Sequence, residues 1–148
     1  MERFGKLIEI LLVEDNPGDA RLTFEAFGEI GSSGRLTVVE DGVEALAYLR
    51  RRGRYADAPR PHLILLDLNL PRKSGHEVLA EVKDEEGLKQ IPIIVLTTSH
   101  DERDITKAYD LRADCYITKP IGFRQFVEVA RSIDQFWGGV AQLPTMSI

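Results

Sequence analysis

The 148 residues suffice for one domain with a proper core and are too few for two ordinary ones. With 43% apolar and 29% charged residues and no apolar run near the length of a membrane span, the chain reads as globular and not as membrane-spanning. A net charge of -5 disfavours binding to nucleic-acid phosphates, and a lone cysteine, Cys115, excludes a disulfide framework or a zinc cluster within the chain. The opening Met1–Lys6 carries no apolar signal core, so a cytoplasmic location is expected.

The first predicted strand, Leu7–Val13, is a short apolar run that ends in Glu14-Asp15-Asn16. Pro17 and Gly18 open a helix with Ala20, Phe24 and Phe27 on its inward face. After a second strand, Arg35–Val39, Asp41 is placed to cap a helix that turns Val43, Leu46 and Ala47 inward. The basic run Arg50-Arg51-Arg52-Gly53-Arg54 reads as a helix C-terminus, where cations complement the dipole. An unpatterned loop, Gly53–Pro61, leads past His62 into a third strand, Leu63–Leu66, which ends in Asp67-Leu68-Asn69-Leu70-Pro71. Ser74 starts a helix carrying Val78, Leu79 and Val82. The fourth strand, Ile93–Leu96, runs into Thr97-Thr98-Ser99, and a helix follows near Asp101–Leu111. The fifth strand, Cys115–Ile117, precedes Thr118-Lys119-Pro120, and the last helix sets Phe126, Ala130, Ile133 and Trp137 along one stripe. Cys115 reads as a small buried hydrophobe, and the scattered His62, His76 and His100 are not read as ligands.

Five alternations of strand and helix predict an α/β fold with a five-stranded parallel sheet and helices on both faces. The flavodoxin-like strand order 2-1-3-4-5 places its switch point between strands 1 and 3, the two that end in Glu14-Asp15 and Asp67. Crowded carboxylates repel unless one is protonated or a cation bridges them, and a hard ion such as Mg²⁺ takes oxygen ligands. Thr97 and Lys119 fall at the same sheet edge. Such a set can bind Mg²⁺, take a phosphoryl group on a carboxylate, and hold its oxygens with a hydroxyl and an ammonium. A strand-end Asp is more often a helix cap, and that reading is kept for Asp41 and Asp101; it does not explain why Asp15 and Asp67 converge.

Four motifs, in order and on the right strand ends, resemble those of a response-regulator receiver domain. They are Val13-Glu14-Asp15-Asn16, Leu66-Asp67-Leu68-Asn69-Leu70-Pro71 with Gly75, Leu96-Thr97-Thr98, and Tyr116-Ile117-Thr118-Lys119-Pro120. The resemblance implies a receiver unit over residues 7–136 and a C-terminal extension over 137–148. It implies that Asp67 accepts a phosphoryl group from a sensor histidine kinase. Asp15 and Asp67 would ligate Mg²⁺ through carboxylates, Asn69 through its backbone carbonyl, and Glu14 through a water. Thr97 would donate to a phosphoryl oxygen, Lys119 would pair with the carboxylate or the phosphate, the Lys119–Pro120 bond would be cis, and Thr97 with Tyr116 would switch the face made by the fourth helix, fifth strand and fifth helix. Two departures stand out: Thr98 occupies a place where a smaller residue is common, and Arg112-Ala113 replaces a stretch where glycine is common, leaving the exit of the fourth helix open.

The ending, with Phe136, Trp137, Val140 and Leu143-Pro144, resembles response regulators that serve bacterial phytochromes, as do Gly53–Pro61 and Asn16-Pro17-Gly18-Asp19. That resemblance implies a homodimer through the last helix and the extension, with a phytochrome-type kinase as partner; the single-domain receiver resemblance adds docking to another protein or passing phosphate on to a histidine phosphotransfer protein. It implies a phosphoacceptor and not an enzyme. One alternative is a Mg²⁺-dependent phosphatase with an aspartyl nucleophile, but Asp67-Leu68-Asn69 lacks the second acid such enzymes use. Another is a pseudo-receiver that binds partners without phosphorylation, against which every acid, the hydroxyl and the lysine are present. No Gly-x-Gly-x-x-Gly follows the first strand to suggest a dinucleotide.

Overall fold

Strands and helices alternate through residues 8–135, the part of the chain that the computed structural model describes. The order is β1 (Ile8–Val13), α1 (Pro17–Glu29), β2 (Gly34–Val39), α2 (Gly42–Leu49), a 3-10 turn (Gly53–Tyr55), β3 (Leu63–Leu66), α3 (Gly75–Asp84), β4 (Ile93–Thr97), α4 (Glu102–Asp110), β5 (Cys115–Thr118) and α5 (Phe123–Ile133). All pairings are parallel and the sheet runs β2-β1-β3-β4-β5, the flavodoxin-like order expected from the alternation. Among the described residues no helix is long and apolar enough to cross a membrane.

Side chains alternate across a strand, so each central strand feeds two cores. Leu11, Val13, Ile64, Leu66, Ile93 and Val95 pack under α2, α3 and α4. Ile10, Leu12, Leu63, Leu65 and Ile94 pack under α1 and α5. Burial on both faces is why β1, β3 and β4 are uninterrupted apolar runs.

The helix starts follow their caps. Asp41 Oδ1 accepts the Glu44 N–H at 2.8 Å, Asp101 caps α4, and Ser74 with Glu77 closes a reciprocal capping box at α3. The inward faces of two helices differ from expectation. In α1 the buried residues are Thr23, Ala26 and Phe27, and Phe24 is 61% exposed. Because α1 packs against α5 as well as β1, its apolar stripe turns toward α5 and leaves Phe24 above the edge strand β2. In α2 Leu46 is buried as expected, but Val43 and Ala47 are half-buried while Ala45, Tyr48 and Leu49 complete the core face. Leu46 is compatible with either flank, and packing against α3 and Tyr55 selects the 45/49 side. Cys115 is half-buried, not buried, at the start of its strand. Phe136, Trp137, Val140 and Leu143, with the rest of the expected extension, lie outside the described residues.

Arg112 resolves the exit of α4. Its φ is +75°, the left-handed region usually left to glycine. The Ala113 N–H reaches the Ala108 carbonyl at 2.9 Å and the Arg112 N–H the Tyr109 carbonyl at 2.9 Å, which is the Schellman ending of a helix. A side chain in this region costs about 1 kcal/mol relative to glycine, offset here by the guanidinium, which donates to the Lys83 carbonyl at 2.9 Å.

Lys83 itself is buried. Its Nζ donates to the Ile91 carbonyl at 3.1 Å and to Asp114 Oδ2 at 2.9 Å, and the same carboxylate oxygen takes the Ile93 N–H at 2.8 Å. One ion pair thus ties α3 to the starts of β4 and β5, at the sheet edge opposite the acid cluster.

Candidate functional site

Register brings the acids together. Val13 pairs with Leu66 across β1 and β3, so the next residues, Glu14 and Asp67, emerge side by side at one edge. The Asp67 N–H bonds the Val13 carbonyl at 3.1 Å, which fixes the offset. Thr97 pairs with Thr118 across β4 and β5, and the Lys119 N–H bonds the Thr97 carbonyl at 2.7 Å. Each functional side chain therefore sits at, or one or two residues past, the end of a strand whose apolar body is locked in the core.

The group is unusually buried for its polarity: Glu14 is 2% exposed, Asp67 5% and Thr97 0%. One carboxylate oxygen from each of Glu14, Asp15 and Asp67 lies within 4.8 Å of the others. The Thr97 hydroxyl donates to Asp67 Oδ1 at 2.8 Å, and the Asn69 N–H to the same oxygen at 3.0 Å. Lys119 Nζ spends its donors on three carboxylates: Glu14 Oε1 at 2.6 Å, Asp67 Oδ2 at 2.8 Å and Asp19 Oδ2 at 2.8 Å. Glu14 Oε2 takes the Asn16 N–H at 3.2 Å.

The electrostatics divide the acids. Burial pushes both Glu14 and Asp67 up. At Asp67 the Lys119 ammonium, the Asn69 N–H and the Thr97 hydroxyl together outweigh burial and hold the carboxyl below its ordinary value, so it is ionised at neutral pH. At Glu14 burial wins; Lys119 opposes it, the neighbouring Asp67 charge reinforces it, and the pKa rises to about 7. Lys119 would be lowered by burial, but its bonds to Asp19, Asp67 and Glu14 raise it instead. The result is an ionised carboxylate aimed at the edge, a poised second acid, and a lysine that stays charged.

Three convergent carboxylates against one ammonium leave uncompensated negative charge, and hard oxygen donors suit a divalent cation. A cation held by all three acids would need Glu14 deprotonated. We therefore expect affinity for a divalent ion to climb with pH through the window around 7, by up to about tenfold per unit on the acidic side, and then level off. Titration calorimetry at pH 6.5, in buffers of different ionisation enthalpy, should show a substantial fraction of a proton released per ion bound, falling toward none above the window. Glu14→Gln should release none. Affinity that is flat across the window would mean that Glu14 is already ionised at rest. The same raised pKa predicts that this group favours the folded state least above pH 7, because between its ordinary value and 7 the folded chain holds the extra proton.

Glu14, Asp15, Asp67, Thr97 and Lys119 are thus brought to one point, as the sequence suggests. Asn69 reaches the site through its N–H, with its side chain exposed. Tyr116 stands beside the site, half-buried, its hydroxyl donating to the Ser99 carbonyl at 2.8 Å. Pro120 corrects the expectation: no described peptide bond is cis, so Lys119–Pro120 is trans. The trans form is the lower-energy isomer of an X–Pro bond by about 0.5–1 kcal/mol, and it already places the Lys119 N–H on Thr97 and its ammonium on the acids.

The motifs do not point to Asp19, yet its carboxylate joins the site by holding the Lys119 ammonium. Asp19 is N3 of α1, where an acid is commonplace beside the helix dipole. The available signal is spacing: Asn16 caps α1 by accepting the Asp19 N–H at 2.9 Å, which turns the first helical residues back over the edge that Asp15 leaves.

A family model described as the response regulator receiver domain matches residues 10–131. The chain is 45% identical to the response regulator Rcp1 of Synechocystis sp. over 135 residues, which is 91% of this chain and 92% of that protein. It is similar to the crystal structure of the phosphorylated cyanobacterial phytochrome response regulator RcpA, with 50% identity, a TM-score of 0.85, and coverage of 89% of this chain and 94% of that one. A structure of Rcp1 in its Mn²⁺-bound form matches at 45% identity and a TM-score of 0.82, covering 88% and 94% of the two chains.

Proposed function

The chain belongs to the response regulator receiver family, and from that premise we propose that Asp67 takes a phosphoryl group from the phosphohistidine of a sensor kinase. The observation that carries this is the double hold on one buried carboxylate: Thr97 on Oδ1, Lys119 on Oδ2, with two further acids alongside. A carboxylate oxygen of Asp67 attacks phosphorus, the phosphorus–nitrogen bond of the donor breaks, and an acyl phosphate forms. The Thr97 hydroxyl and the Lys119 ammonium, released from the carboxylate, are then placed to take phosphoryl oxygens.

Glu14, Asp15 and Asp67, with the backbone carbonyl of Asn69, would hold Mg²⁺. Bound there, the ion would offset the charge of the phosphoryl oxygens. Tyr116 and Thr97 would carry the signal to the face made by α4, β5 and α5: as Thr97 turns to the phosphoryl group, the β4–α4 loop shifts and with it the Ser99 carbonyl that holds the Tyr116 hydroxyl.

The likeness to RcpA, a phytochrome response regulator, supports a phytochrome-type kinase as donor; the same reading takes a cytoplasmic setting and a histidine phosphotransfer protein as a further acceptor. The receiver unit would span 7–136. Phe136, Trp137, Val140 and Leu143 would join α5 in a homodimer, which the light-scattering mass of the whole chain against one ending at Asp134 measures.

Incubation with a small phosphoryl donor such as acetyl phosphate tests the central reading. We expect one phosphoryl group per chain, dependent on Mg²⁺ and abolished by a chelator. Labelling indifferent to the chelator would remove the cation from the scheme, and sustained turnover of phosphate esters would make the chain a phosphatase.

A further inference from the structure

We infer that Asp19 is a positioning residue for Lys119, the anchor to which the lysine retreats when a divalent cation occupies the acid cluster; the inference rests on the cation reading above. Lys119 Nζ is held by Glu14, Asp67 and Asp19. The first two belong to the cluster whose oxygens converge, and Asp19 does not. A cation at that cluster competes with the ammonium for Glu14 and Asp67 and repels it. Asp19 is the partner that stays available. It is placed for this task by three constraints: the Asn16 side chain takes its N–H at 2.9 Å, the Thr23 hydroxyl bonds its carbonyl at 2.8 Å, and Pro17 starts the helix two residues before it. Its side chain is 28% exposed while that of Lys119 is 5% exposed, so Asp19 holds the ammonium from the solvent side.

The alternative is an ordinary N3 acid that complements the helix dipole. The two differ in whether the effect of Asp19 passes through Lys119. Without Asp19, the lysine has no fallback, clings to Glu14 and Asp67, and competes harder with the cation. Without both residues, that competition is absent.

The test is a double-mutant cycle on Mg²⁺ affinity, read by titration calorimetry on the full chain. Asp19→Asn should weaken Mg²⁺ binding by about threefold to tenfold. The same change in a Lys119→Met background should weaken it by less than about twofold, the residue of screened long-range charge. Asp19→Glu should restore most of the affinity. Equal losses in both backgrounds, or no loss in either, would overturn the inference while leaving the cation site in place. Absence of Mg²⁺ binding by the unaltered chain would instead overturn the cation reading, and the inference with it.

A second readout does not depend on Lys119→Met folding. The Lys119 ammonium protons should remain observable by NMR in the Mg²⁺-loaded chain, protected by Asp19, and should be lost to solvent exchange in Asp19→Asn. Protons equally protected in both would show that the lysine does not use Asp19 as its anchor.

Discussion

Asp67→Asn is expected to leave a folded chain that takes no phosphoryl group, with labelling by acetyl phosphate falling to background. The amide is the size of the carboxylate, and its oxygen can still accept from the Thr97 hydroxyl and the Asn69 N–H, which both reach Oδ1. The amide NH2 replaces Oδ2 and cannot accept from Lys119, which turns to its other partners, Glu14 and Asp19. What is lost is the nucleophile, since an amide oxygen does not form a stable acyl phosphate. The substitution also lifts a negative charge from beside Glu14, one of the causes that raise that residue. The stability change should therefore be small, within about 1 kcal/mol, so a urea midpoint separates lost chemistry from lost folding. Persistent labelling would mean that Asp15 or Glu14 accepts the group and that the division of the acids by their hydrogen bonds is wrong.

Gly75→Ala should do the reverse and damage the fold first. A Cβ on Gly75 would lie 2.3 Å from the Asp67 carbonyl oxygen and 2.5 Å from the Leu68 Cα. Both obstacles are backbone, so no side chain can rotate out of the way. The start of α3 would have to back away from the end of β3, stretching the 3.0 Å bond from the Gly75 N–H to the Leu68 carbonyl. A loss of about 2–4 kcal/mol is expected in urea unfolding. Labelling of the folded fraction should slow as well, because the displaced segment begins at Asp67. Gly28→Ala is the control: nothing lies within 4 Å of its added Cβ, and in a helix it should be neutral or stabilising by up to about 1 kcal/mol. Equal behaviour of the two variants would show that the close approach at Gly75 relaxes without cost.

What was legible in the chain is what local chemistry determines. β3 is bounded as Leu63–Leu66 because a fully buried strand must be apolar throughout and the residue after it is charged. Ser74 announces α3 because a capping box is a local contact. The convergence of Glu14, Asp15 and Asp67 follows from parallel topology, which alternation alone predicts. Helix phase was less legible. Phe24 is as apolar as Phe27, and only the position of α5 decides which of them is covered. Arg112 gives no sign in sequence of a left-handed backbone, since its compensation comes from Lys83, 29 residues away. Asp19 was hidden for the opposite reason: an acid in the first turn of a helix is so ordinary that its second partner, 100 residues on, goes unsuspected.

The ion pair between the buried Lys83 and the partly exposed Asp114 stiffens one end of the sheet. There, α3, β4 and β5 are riveted together by one ammonium and one carboxylate. At the other end, Glu14, Asp19 and Asp67 crowd a single lysine, with Asp15 beside Glu14 and Asp67. A beam clamped at one end and loaded at the other deflects along its free length. In the switch proposed above, a pull on Thr97 would be damped toward Ile93 and would travel outward into the β4–α4 loop, where the Ser99 carbonyl holds the Tyr116 hydroxyl. The rivet would then serve as a fulcrum, steering a small displacement at the loaded end toward the surface where another molecule could feel it.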